Sequence, residues 1–200
     1  MSKGFLLAKS EEEIIRAIQE QAYRHQMNYR GCCQVQVKAL TDHLGFFSQD
    51  VFRAATPFAA GVARKGDQCG HLTGAIMVIG LYIGRNDFRE SGQPKEFGSS
   101  PYSASQDLAG ELYEKFKGFW GTTKCFEIQE KLVGKRLDVT QPDVQKMVES
   151  GEYFDILSKV CCNVAASTAK MAAEILLREI RKEQQWYRFD QKPNYNYRPD

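Results

Sequence analysis

Two hundred residues with 42% hydrophobic content suffice for one compact domain with its own core, and no disulfide staples are needed to hold it. A formal charge of +2, from 27 basic and 25 acidic residues, carries no single-sign field of the kind that marks a nucleic-acid or anionic-membrane binder. The apolar patch in MSKGFLLAKSEEE is too short for a secretory signal, and the apolar run over residues 75–83 is far below the roughly 20 residues of a membrane span, so a cytoplasmic protein is expected, with no membrane or nucleic-acid partner.

Ser10 with Glu13 forms a capping box, and Ile14, Ile15, Ile18 and Ala22 recur at helical spacing, which predicts a first helix to about Asn28, broken by Gly31. A second helix, from Cys32 to Leu44, carries Val35, Ala39 and Leu40 at helical intervals and stops at Gly45. Ser48 caps a short third helix, which Pro57 ends. A basic loop with Gly61, Arg64, Lys65 and Gly66 then delivers Cys69 to the start of a fourth helix, apolar as far as Ile83. Gly70, Gly74 and Gly80 leave that helix almost bare and are expected to lie against other helices, with Gly74 intolerant of a larger residue.

The polar run from Arg85 to Pro101 reads as an exposed loop. Ser105 opens a fifth helix with Leu108, Leu112, Phe116 and Phe119 on its apolar face and Gly121 at its end. A short helix runs from Cys125 towards Leu132, and Thr140, Pro142 and Asp143 start another that ends at Gly151. From Asp155 an alanine-rich helix presents Val164, Thr168, Ala172, Ile175, Leu176 and Ile180 as one buried stripe, with a break expected near Cys161 and Cys162.

No segment alternates as a sustained strand does, and no internal repeat is present. The reading is therefore all-α: a single-domain, bundle-like helical fold over residues 1–183 with a short C-terminal tail over 184–200. Trp186, Tyr187, Phe189, Tyr195 and Tyr197 make that tail a candidate interface of a homodimer, or else a segment folded back on its own domain.

In a reducing compartment six cysteines point to metal ligands, redox thiols or buried fillers rather than structural disulfides. Their four positions, 32/33, 69, 125 and 161/162, each fall at or near an expected helix start, where unpaired N–H groups favour a thiolate or an anionic iron–sulfur cluster. Neighbours on a helix project about 100° apart, so one cysteine of each pair faces a common site and the other packs elsewhere. No CxxC knuckle and no ferredoxin run is present, and spacing alone leaves small buried hydrophobes as an equal reading. GVARKG at 61–66 has the glycines of a phosphate loop but Asp67 and Gln68 where lysine and a hydroxyl residue are required, which rules nucleotide binding out there. His71 is expected to point away from Cys69 in a capping or surface role, and His25 and His43 to lie on the surface.

Gly31-Cys32 with Gln34, the block AATPFAAGVARKGDQCGHLTGAIMVIGLYIGR, ELYEKFKGFWGTTKC and Cys161 leading into VAASTAKMAAEIL together resemble the small redox-active proteins named for the pattern C–GCAxxG–C–C, over about three-quarters of the chain. The resemblance implies that Cys32, Cys69, Cys125 and Cys161 are the functional set and hold an iron–sulfur cluster as its metal ligands, and that the protein transfers electrons, with a redox partner protein, or serves a larger oxidoreductase. No catalytic residue is implied. His71 stands where the family has alanine, and Cys33 and Cys162 are extra to the pattern. The alternatives are a thiol–disulfide oxidoreductase with Cys69 as a low-pKa nucleophile, and a structural helical protein that binds zinc or no metal.

Overall fold

The structure is a computed structural model in which residues 10–91 and 100–186 are described. Among them are eight α-helices: α1 (Glu11–Tyr29), α2 (Cys32–Leu44), α3 (Gln49–Ala54), α4 (Gly70–Ile83), α5 (Pro101–Trp120), α6 (Cys125–Val133), α7 (Pro142–Ser150) and α8 (Glu152–Trp186). The described residues form no strand, and the fold is all-α.

α1 begins where the capping box predicts, with Ser10 accepting from the Glu13 N–H and the Glu13 carboxylate accepting from the Ser10 N–H. Its Ile14, Ile18 and Ala22 bury against α8, while α2 packs along α4. The closest approach of α2 and α4 is at Gly74, where a Cβ would stand 2.3 Å from the Cys33 carbonyl oxygen. Helix backbones meet there because no side chain intervenes. Gly80 is different from its expected role: it is exposed, and a Cβ on it would meet nothing.

Two other boundaries and one side chain differ from the sequence reading. α5 begins at Pro101, earlier than Ser105, because Ser100 accepts from the Ser103 N–H and proline suits the first helical position. Its Phe119 is 64% exposed in the last turn, off the apolar face that Leu112 and Phe116 bury. α7 starts after Gln141 without a side-chain cap, since the Thr140 hydroxyl donates back to Asp138 instead.

The largest difference is α8, which runs unbroken through Cys161 and Cys162 for 35 residues. The segment contains neither glycine nor proline, and its small residues Ala165, Ala169, Ala172 and Ala173 seat it deep in the main core beside Val164, Thr168, Ile175 and Leu176. By length and composition α8 would also pass for a membrane-crossing helix, but over half of that apolar window is buried within the domain. A second, smaller core joins Leu137, Val144, Met147 and Tyr153, where α7 folds onto the first turns of α8. The aromatic tail beyond Trp186, and with it the homodimer expectation, lies outside the described residues.

Candidate functional site

The four cysteine positions come to one region by different routes. Cys32 is the first residue of α2, after Gly31 in a left-handed conformation. Cys69 is the N-cap of α4, and Cys125 is the first residue of α6. These two are zipped together: the Cys69 N–H donates to the Thr123 carbonyl at 2.8 Å, the Cys125 N–H to the Asp67 carbonyl at 2.7 Å, and Gln68 bridges Lys124 in antiparallel fashion between them. Phe126 presses its ring where a Cβ of Gly66 would be, which ties α6 to the loop before α4. Cys161 is not at a helix start. It reaches the same region from the interior of α8, so the expectation of four helix starts holds for three.

The loop between α3 and α4 is strained. Ala60, Gly61, Val62, Ala63 and Arg64 all have positive φ, from 51° to 72°, and each non-glycine residue among them gives up roughly 1–2 kcal/mol to hold a left-handed conformation. Strain of this kind persists where surrounding bonds over-determine it, here Arg64 N–H to Ala59, Gly66 N–H to Ala60 and Asp67 N–H to Gly61. One product is the Ala60 N–H, which donates to the Cys32 sulfur at 3.3 Å. On the other side of that sulfur is Gly70, where a Cβ would come within 2.6 Å of it. Gly70 is thus required for room at the site.

Cys32, Cys125 and Cys161 line one cavity of about 560 Å³, with Tyr153, Gln129 and Arg30 among its other walls. Cys69 is not on its lining, but the charge of Cys32 acts on its thiol, and the charges of Cys32 and Cys69 act on Cys125 and Cys161. The neighbours Cys33 and Cys162 are fully buried and off the cavity lining, and Cys33 joins the main core 3.5 Å from the Met77 sulfur. All six cysteines are free thiols.

Burial dominates the electrostatics. It pushes the Cys69 thiol up to about 12, with Cys32 adding to the rise and the N–H groups of His71 and Leu72 opposing it. The helix N-terminus therefore acts on Cys69 as expected but loses to desolvation, and the low-pKa nucleophile of the sequence reading is corrected. Cys32 is also raised by burial, against the backbone N–H groups of Ala60, Cys33 and Gly70. Cys125 and Cys161 go up for the same reason, reinforced by the other thiols. Tyr153, beside them, is pushed up to about 12 by burial and by Cys125, Cys161 and Cys32.

His71 is not a surface or capping residue: it is 1% exposed, its Nδ1 lies 3.3 Å from the Gln36 amide nitrogen, and burial lowers its pKa to about 3. The Gln36 amide also donates to the Ala165 carbonyl, so this neutral imidazole belongs to a polar contact joining α2, α4 and α8 in the core. Among the described residues no three His, Cys, Asp or Glu side chains are disposed to hold a single metal ion.

A family model described as "Putative redox-active protein (C_GCAxxG_C_C)" matches residues 31–175. The chain belongs to this family. The match spans α2 to most of α8, a stretch that holds all six cysteines. No curated protein and no solved structure matches the chain. The redox-active family and the all-α fold agree with the sequence reading. Sequence reasoning missed Gln26, Arg30, Gln129 and Tyr153 on the cavity wall, because nothing in their local pattern separates them from ordinary helix residues; Gly66 and Gly70 were legible as small residues, but not what fills the space beside them.

Proposed function

We propose that Cys32, Cys69, Cys125 and Cys161 hold an iron–sulfur cluster, and that the protein works in electron transfer or as an accessory to an oxidoreductase, with a protein redox partner in the cytoplasm. The observation that carries this reading is the meeting of three thiols from three helices on one cavity, with the fourth close enough to feel their charge.

The residues fit such a group. Thiolates gathered this closely repel one another, and desolvation raises all four thiols, so a compensating cationic centre favours their ionisation. The donors are arranged for charged sulfur: the Ala60 N–H at Cys32, the His71 and Leu72 N–H groups at Cys69, and the Gln129 amide 3.5 Å from the Cys125 sulfur. A bound cluster supplies one-electron chemistry at a potential set by such hydrogen bonds and by burial. The chain's own part is to hold the sulfurs, keep Gly70 clear beside Cys32, and limit water around them. A free Cys69 with its thiol at about 12 is a poor nucleophile at neutral pH, which weighs against the thiol–disulfide alternative.

The test is anaerobic purification, with iron and sulfide counted per chain beside the visible spectrum. Charge-transfer absorption with bound iron and sulfide is expected in the wild type and in Cys33→Ser and Cys162→Ser. Loss is expected in Cys32→Ser, Cys125→Ser and Cys161→Ser, and most completely in Cys69→Ser. A colourless protein after anaerobic reconstitution with iron and sulfide, or full loading of Cys69→Ser, overturns the assignment.

A further inference from the structure

We infer that the cavity beside Cys32, Cys125 and Cys161 is a binding chamber for a small organic anion with an apolar body. Its volume of about 560 Å³ is that of a small-molecule site, for which roughly 300–1,000 Å³ is usual. Part of the wall is apolar, built by Val139 in the segment before α7, Val148 of α7, and Phe154 and Leu157 at the start of α8.

The polar groups of the chamber have work left over. Gln26 of α1 lines it at 5% exposure, and its side-chain oxygen is buried without a hydrogen-bond partner. Such an orphan acceptor is costly in the free protein and is relieved by an N–H or O–H brought by a ligand. Arg30 and Arg64 are exposed residues on the lining, and both hold positive φ, 60° and 64°, which arginine does not favour. Neither makes an ion pair among the described residues. The Arg30 guanidinium lies 3.6 Å from the centre of the Phe154 ring; stacking on a ring face leaves its in-plane N–H donors available to a carboxylate or sulfonate. Glu149 offsets one of the two positive charges, so the lining apart from the thiols carries one net positive charge, on the arginine side.

A ligand that puts its apolar body against Val148 and Leu157, its donor on Gln26 and its anionic group on Arg30 uses each of these features. It would lie directly against three of the four thiols. This inference rests on the proposed redox centre for its chemical meaning, since a centre open to such a chamber meets a small molecule directly, but its binding does not depend on that centre.

The probe is anilinonaphthalene sulfonate, which combines an apolar body, an N–H and an anionic group, titrated into the full chain by fluorescence. One probe per chain is expected. Arg30→Gln, at an exposed position, should weaken binding about tenfold through loss of a charge-assisted hydrogen bond. Val148→Trp should weaken it more by filling the chamber, and Lys170→Gln, which removes a distant positive charge, should change nothing. Circular dichroism confirms equal helicity of the variants, and iron and sulfide are counted in each. Unchanged binding in Arg30→Gln, or equal weakening in Lys170→Gln, overturns the chamber whatever the iron content. Lack of iron with one-to-one binding that Arg30→Gln weakens overturns the redox centre and leaves the chamber standing.

Discussion

The main core and the small core by α7 differ in enclosure. The first is walled by α1, α2, α4, α5 and α8, with Ile18, Leu40, Leu72, Ile79, Leu112, Phe116 and Leu176 all at 0% exposure. The second has four buried side chains, two of them still 7% exposed, and α7 packs mainly on α8. The well-enclosed core fixes the positions of Cys32, Cys69 and Cys161, whereas the thin core supplies the apolar wall of the cavity. Packing is tighter behind the thiols than around α7, which predicts the lower local stability on the α7 side.

Breaking the two cores separately should give unequal results. Phe116→Ala should cost about 3–5 kcal/mol and unfold the protein as a whole, seen as a large fall in melting temperature. Gly74→Leu comes next: with backbone 2.3 Å from the new Cβ, neither helix can yield cheaply, and a loss of about 3 kcal/mol is expected in chemical denaturation. Met147→Ala in the small core should cost about 2 kcal/mol, and hydrogen exchange should speed up in α7 and the first turns of α8 while the amides of α4 keep their protection. Equal acceleration in α4 would mean that the two cores unfold as one.

Two smaller changes sharpen the contrast at the surface. Gly80→Ala, on the open side of the same helix as Gly74, should stabilise by about 0.5–1 kcal/mol because it removes backbone entropy without meeting a neighbour. Glu111 of α5 is held by Arg178 of α8 through two hydrogen bonds, 3.0 and 2.7 Å, which lower its pKa from 4.5 to about 2. A lowered carboxyl stabilises the fold above its unfolded value of 4.5, and that contribution fades as the pH falls towards 2. Both groups are partly exposed, so the effect is at most about 1 kcal/mol. The acid limb of the stability curve in Glu111→Gln should be flatter than in the wild type by that amount.

The local units follow from short-range patterns in the chain. The Ser10 and Glu13 capping box, Gly45, Gly121 and Gly151 as left-handed stops, and the helical spacing of Ile14, Ile18 and Ala22 all act within a few residues, where propensity and hydrogen bonding decide. The four cysteine positions and the family pattern were equally legible, because they are fixed spacings of distinctive residues. Tertiary structure decided what depends on distance and burial. α8 stays whole through Cys161 because it is packed along its length, His71 is buried because α2 and α8 close over it, and Gly80 is exposed although it resembles Gly74 in sequence. The Cys69 thiol shows the division most directly: its place at a helix N-terminus is written in the chain, but the sign of its pKa shift is set by how much protein surrounds the sulfur, which only the fold supplies.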